Sequence, residues 1–136
     1  MTDVVDLARL RDIAADIMTQ AEPGSVVWLS GELGSGKTAF VRAAVQAIGG
    51  EPASSPTYAL VHEYQTPIGL VIHVDCYRLT VPEEAIDLDL RELQRSARVL
   101  FVEWPERAAE YAPSPDVHLR FFHADAPDFR GIERVQ

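Results

Sequence analysis

The sequence is poor in lysine. Lys37 is the only one in 136 residues, against eleven arginines. A chain this inclined to arginine that keeps a single ammonium marks a position where a compact point charge on a flexible stem works and a broad planar fork does not. Cysteine is as scarce: Cys76 stands alone. An intramolecular disulfide and a cysteine-based zinc centre are thereby excluded, and a buried thiol in a reducing compartment is expected. Basic residues are few altogether, twelve against twenty-one acidic ones, for a formal net charge of −9. That balance argues against a lone protein tracking a nucleic-acid backbone, so any nucleic-acid role needs a partner. No apolar run approaches bilayer-spanning length, and the acidic start Met1-Thr-Asp-Val-Val-Asp6 lacks the basic region of a secretion signal. A cytoplasmic protein without a membrane role is expected. The four histidines, His62, His73, His118 and His123, have no zinc-like spacing; they are read as surface or structural residues and assigned no chemistry.

What is present is ordinary globular composition, 47% apolar and 24% charged, in a length that suits one domain over residues 1–136. The lone lysine sits in Gly31-Glu-Leu-Gly-Ser-Gly-Lys-Thr38, which satisfies G-x-x-x-x-G-K-[ST], the phosphate-binding loop. Glycines there let backbone N–H groups turn inward around an anion. The flanks agree: Ser25–Ser30 is a β-prone apolar run and Thr38–Ile48 reads as a helix stopped by Gly49-Gly50. Strand, loop and helix N-terminus bring unpaired N–H groups and a dipole's positive end to one spot. Gly31, Leu33, Gly34, Ser35, Gly36, Lys37 and Thr38 are therefore the candidate nucleotide-binding residues.

Elsewhere, residues 4–21 place Val5, Leu7, Leu10, Ile13, Ala14 and Ile17 on one helical stripe. Glu51–Pro56 is a proline- and serine-rich loop, and Tyr58–Tyr64 with Leu70–Val74 read as an antiparallel hairpin. Pro82–Ala97 reads as a helix, Val99–Val102 as a buried strand, and Val117–Phe122 with Arg130–Val135 as a closing pair of strands. The fold class expected is α/β, a P-loop NTPase fold with a mixed, mostly parallel sheet flanked by helices and carrying antiparallel additions.

Two apolar strands end in a carboxylate, Val71–Val74 in Asp75 and Val99–Val102 in Glu103. In an open α/β sheet ligands lie beyond the carboxyl ends of parallel strands, where the loop also emerges. Thr57, at the start of an antiparallel strand, would reach the same edge. Mg²⁺ takes oxygen ligands and keeps several waters, so Thr38 with one or two of these carboxylates and phosphate oxygens suffices. Glu103 ends the more continuous run and is the candidate Walker-B acid, holding the metal directly or through water, or positioning the attacking water. Asp75 is the candidate for a metal-bound water and for sensing the γ-phosphate with Thr57. Arg78 and Trp104 lie beside these acids, each with a surface or core role as the alternative.

Four blocks in order, Gly31–Thr38, Ser55-Pro-Thr-Tyr-Ala-Leu60, His73-Val-Asp-Cys-Tyr-Arg-Leu79 and Val102-Glu-Trp-Pro-Glu-Arg107, closely resemble the TsaE (YjeE) family. The resemblance implies a small bacterial P-loop ATPase that works with the TsaB–TsaD heterodimer to place a threonylcarbamoyl group on adenosine in tRNA. It implies that Lys37 and Thr38 hold phosphate and Mg²⁺, that Asp75 and Glu103 are the metal and catalytic acids, and that Thr57 belongs to a switch-like segment. Cys76, Leu10 and Ala14 stand where the family usually has leucine, threonine and glycine. Arg130 follows Phe129 where the family often has a Gly-Arg pair near the nucleotide, and is carried over on that basis. Two other readings share the loop, a small-molecule kinase and a binding module with negligible turnover. A GTPase is disfavoured: N-K-x-D is absent, and Asp128-Phe-Arg-Gly131 falls after the last core strand.

Overall fold

A computed structural model describes residues 2–52 and 60–135. In chain order the elements are β1 (Thr2–Val5), α1 (Leu7–Gln20), β2 (Ser25–Gly31), α2 (Lys37–Ala47), β3 (Glu51–Pro52), β4 (Val61–Thr66), β5 (Gly69–Asp75), a 3-10 helix (Pro82–Leu88), α3 (Leu90–Ser96), β6 (Val99–Glu103), β7 (Val117–His123) and β8 (Arg130–Val135), with two further 3-10 turns between β6 and β7. The strands form one sheet in the order β1-β8-β7-β2-β6-β5-β4-β3. Its four central strands, β7, β2, β6 and β5, run parallel, and the outer strands add antiparallel.

Side-chain alternation splits the core into two layers. Val27, Leu29, Val71, Val99 and Phe101 face Phe40, Val41 and Ala44 of α2 and Leu10, Ala14 and Met18 of α1. Val26, Ile72, Val74, Leu100 and Val102 face the other way, onto Leu79, Ala85 and Leu90. Every residue of β6 is buried, as expected of a parallel strand covered on both faces. Phe40 anchors α2 edge-to-face on Phe101 and Phe121, at 6.5 and 5.5 Å between centroids.

Three expectations need correction. The stripe over residues 4–21 is not one helix: Val4 is exposed and Val5 buried, the two-residue alternation of a strand, and this segment pairs with β8. The carboxylate of Asp6 then accepts from the Arg9 N–H at 2.9 Å and starts α1, leaving Leu7 half exposed. Residues 82–97 are likewise two pieces. Asp89, at φ +48°, breaks the run, and the residues it buries on either side, Ala85 and Leu90, are five apart, a spacing one straight helix cannot put on a single face. A two-residue strand, β3, also lies in the segment read as loop.

Candidate functional site

The glycine loop closes because two of its residues lack a side chain. Gly31 has φ +138°, and a Cβ there would run into the Phe121 carbonyl oxygen. Gly36 has φ +111°, and a Cβ would occupy the space taken by the Arg130 side chain. Both conformations are ones that side-chain-bearing residues rarely adopt. Between them Ser35 is buried, and its hydroxyl donates to the Glu32 carbonyl at 2.6 Å. Gly34 and the half-exposed Leu33 form the tip, where the Leu33 carbonyl lies 3.1 Å from His123 Nε2.

Lys37 is the first residue of α2 and only 4% exposed. Its ammonium donates to the Gly31 carbonyl, lies 3.4 Å from the Glu32 carbonyl, and sits 4.2 Å from the centroid of the Trp104 ring. Burial pulls its pKa below the usual lysine range, against the opposing charges of Glu103, Asp75 and Glu106. Trp104 is held in the left-handed region at φ 55° directly after β6. Its ring contacts Tyr77, and the Arg107 guanidinium lies over both rings.

The two acids end neighbouring strands in exact register, Asp75 opposite Glu103. Glu103 is 3% exposed. Its Oε2 accepts from the Thr38 hydroxyl at 3.1 Å and from Nε2 of His73. Burial disfavours its charge, but the hydrogen bond and charge of His73, the Thr38 hydroxyl and the Lys37 ammonium outweigh that and hold its carboxyl below the usual range. Asp75, half-buried, accepts from the Tyr77 N–H at 3.0 Å. Thr38, Glu103 and Asp75 thus offer a hydroxyl and two carboxylates, the hard oxygen donors that suit Mg²⁺. The loop suits phosphate as well: Arg130 packs against Gly36, and its buried Nε has no partner among the described residues.

Of the residues expected at a site, the structure brings Gly31, Gly36, Lys37, Thr38, Glu103 and Arg130 into one set of contacts, with Asp75 on the adjacent strand end. Arg78 is exposed. Thr57 lies outside the described residues. Of the histidines read as surface or structural, His73 is the structural one at this site: it is 3% exposed and bonded to Glu103, a contact the sequence reading did not name. A signal for it was in the sequence. His73 is the one polar residue inside the run Val71–Val74, and it shares the two-residue phase of Asp75.

A β-strand running into a glycine loop, a lysine opening the next helix and a carboxylate at the end of the adjacent parallel strand define the P-loop mononucleotide-binding class. Within that class, the sequence profile of the family described as threonylcarbamoyl adenosine biosynthesis protein TsaE matches residues 4–131. The tRNA threonylcarbamoyladenosine biosynthesis protein TsaE of Haemophilus influenzae is 35% identical over 115 residues, covering 84% of this chain and 72% of that one. Its counterpart in Aquifex aeolicus is 41% identical over 98 residues, covering 70% and 68%. The crystal structure of Bacillus subtilis YdiB matches with a TM-score of 0.75 at 26% identity, over 97% of this chain and 82% of that one. The chain belongs to the TsaE family.

Proposed function

We propose that this chain, as one P-loop domain over residues 1–136, is a small Mg²⁺-dependent ATPase whose ATP binding and hydrolysis support the TsaB–TsaD heterodimer in threonylcarbamoyl modification of adenosine in tRNA. The observation that carries this reading is the meeting of Lys37, Thr38 and the buried Glu103 at the carboxyl edge of a parallel sheet, in a chain of the TsaE family. Backbone N–H groups of Gly31, Leu33, Gly34, Ser35 and Gly36 would surround the phosphates, with Lys37 exchanging its carbonyl contacts for phosphate oxygens. Arg130, against Gly36, adds a cation on the other flank. Thr38 would offer an oxygen lone pair to Mg²⁺, with Glu103 and Asp75 taking the metal directly or through its waters and orienting the attacking water. Thr57 is the candidate γ-phosphate sensor on its motif. The acidic net charge of −9 favours partners that supply the tRNA-binding surface, and a cytoplasmic location goes with this reading.

The test is ATP turnover by the chain alone and with TsaB–TsaD and tRNA, with small-molecule phosphate acceptors scanned in parallel. Slow turnover alone and faster turnover in the complex are expected, because a short chain has few groups of its own to stabilise the transition-state charge. Fast hydrolysis indifferent to the partners would overturn the partner role, and phosphate transfer to an acceptor would make the protein a kinase.

A further inference from the structure

The hydrogen-bond partners of Glu103 are unequal. Thr38 and His73 both donate to the same oxygen, Oε2, while Oε1 takes no side-chain hydrogen bond from the described residues. A carboxylate only accepts, so His73 Nε2 carries the hydrogen. Its Nδ1 is buried and unpartnered among the described residues. If Thr38 ligates Mg²⁺, as the ATPase reading requires, it does so through an oxygen lone pair, and the direction of the O–H it donates to Glu103 is then set by the metal. His73 is the anchor on this side chain of three rotatable bonds that does not itself touch the metal. That anchor is well built: His73 sits mid-strand opposite Phe101, is 3% exposed, and stacks on the His62 ring at 5.7 Å between centroids and 30° between planes.

We propose that His73 is the positioning residue of this site: by holding Oε2 it fixes the Glu103 rotamer as Thr38 takes up the metal, leaving Oε1 as the acceptor for the metal's water or the attacking water. The proposal rests on the ATPase reading. A purely structural histidine, filling a core position and satisfying itself on a nearby acid, predicts a different outcome for every variant below.

His73→Phe keeps a ring and removes the donor, His73→Gln restores a donor at similar reach, and His73→Asn carries an amide too short to reach Glu103. Each is made in the full chain and measured beside wild type for single-turnover hydrolysis with TsaB–TsaD, for ATP affinity, for the Mg²⁺ dependence of ADP affinity, and for thermal unfolding. Hydrolysis is expected to fall about ten- to a hundredfold in His73→Phe and His73→Asn, the scale of a lost hydrogen bond to a charged group. ATP affinity stays within about twofold, more Mg²⁺ is needed to tighten ADP binding, and His73→Gln recovers most of the loss. On a Glu103→Gln background, His73→Phe should subtract nothing further. If His73→Phe does not fold, the contrast between His73→Gln and His73→Asn decides. Wild-type hydrolysis by His73→Phe or His73→Asn overturns this proposal alone, as does a loss that adds in full to that of Glu103→Gln. A wild type that neither binds nor hydrolyses ATP overturns the ATPase reading and this one with it.

Discussion

Lys37 combines two demands that rarely fall on one residue: its charge belongs to the site and its stem to the interior. At 4% exposure over the Trp104 ring, truncation to alanine would open a void as well as remove a charge. Lys37→Met separates the two, since the thioether fills the space and packs well against an aromatic ring. ATP affinity should then drop about ten- to a hundredfold with the thermal midpoint held, as read by calorimetry and thermal unfolding. The two acids divide by their surroundings. Glu103 is buried and bonded to Thr38, whereas among the described residues the Asp75 carboxylate takes its hydrogen bond from a backbone N–H of its own turn. Glu103→Gln is expected to bind ATP and lose most single-turnover hydrolysis, and Asp75→Asn chiefly to shift the Mg²⁺ titration. A wild-type rate in the first variant, or a wild-type Mg²⁺ response in the second, removes the corresponding role. Cys76 presents the opposite case, a nucleophile disarmed. Burial first, then the charges of Asp75, Glu106 and Glu103, push its thiol up to about 12. Alkylation at pH 8 should therefore be slow in the native protein and fast in denaturant. Because the folded thiol holds its proton more tightly than the unfolded one, it contributes stability that is fully present below the unfolded pKa and lost as pH rises toward 12. Cys76→Ala should flatten that alkaline loss in thermal midpoints measured from pH 8 to 11.

At the level of elements, legibility in the sequence followed periodicity and punctuation. The run Val99–Val102, the hairpin whose turn lies at Pro67-Ile68, and the order of strand, loop and helix around Lys37 were each set by local residues, and the structure keeps them. Where the reading failed, a long-range contact had overruled a short-range pattern. Val4 and Val5 fit a helical stripe as readily as a strand, and only pairing with β8 decides. The break at Asp89 follows from a sheet face that Ala85 and Leu90 must both reach. The bond between His73 and Glu103 joins residues thirty apart through strand register, which no spacing rule displays. Asp6 marks the boundary between strand and helix, and its role is measurable. Asp6→Ala removes the acceptor for the Arg9 N–H and should cost about 1 kcal/mol of stability, seen as a lowered thermal midpoint. Asp6→Asn should restore most of it, and an Asp6→Ala variant as stable as wild type would show that the cap contributes nothing.

The whole molecule places its chemistry on one rim of a three-layer stack. α1 and α2 cover one face, the 3-10 helix with α3 covers the other, and the carboxyl ends of β2, β5 and β6 open between them. The helix carrying Thr38 and the strand carrying Glu103 are tied through Phe40 and Phe101, so the geometry of the acid and the hydroxyl is set by the same packing that holds the layers together. Among the described residues no helix is long and apolar enough to cross a membrane. The solitary lysine also gives the molecule a built-in reporter. A lysine-specific protease has one peptide bond to cut in the entire chain, the bond between Lys37 and Thr38, and that bond lies in the first turn of α2 with its recognition side chain buried. Cleavage must wait for this corner to open, so the digestion rate measures the opening equilibrium at the loop itself. A ligand bound there should slow the cut in proportion to its occupancy, giving a two-fragment assay that needs neither label nor turnover.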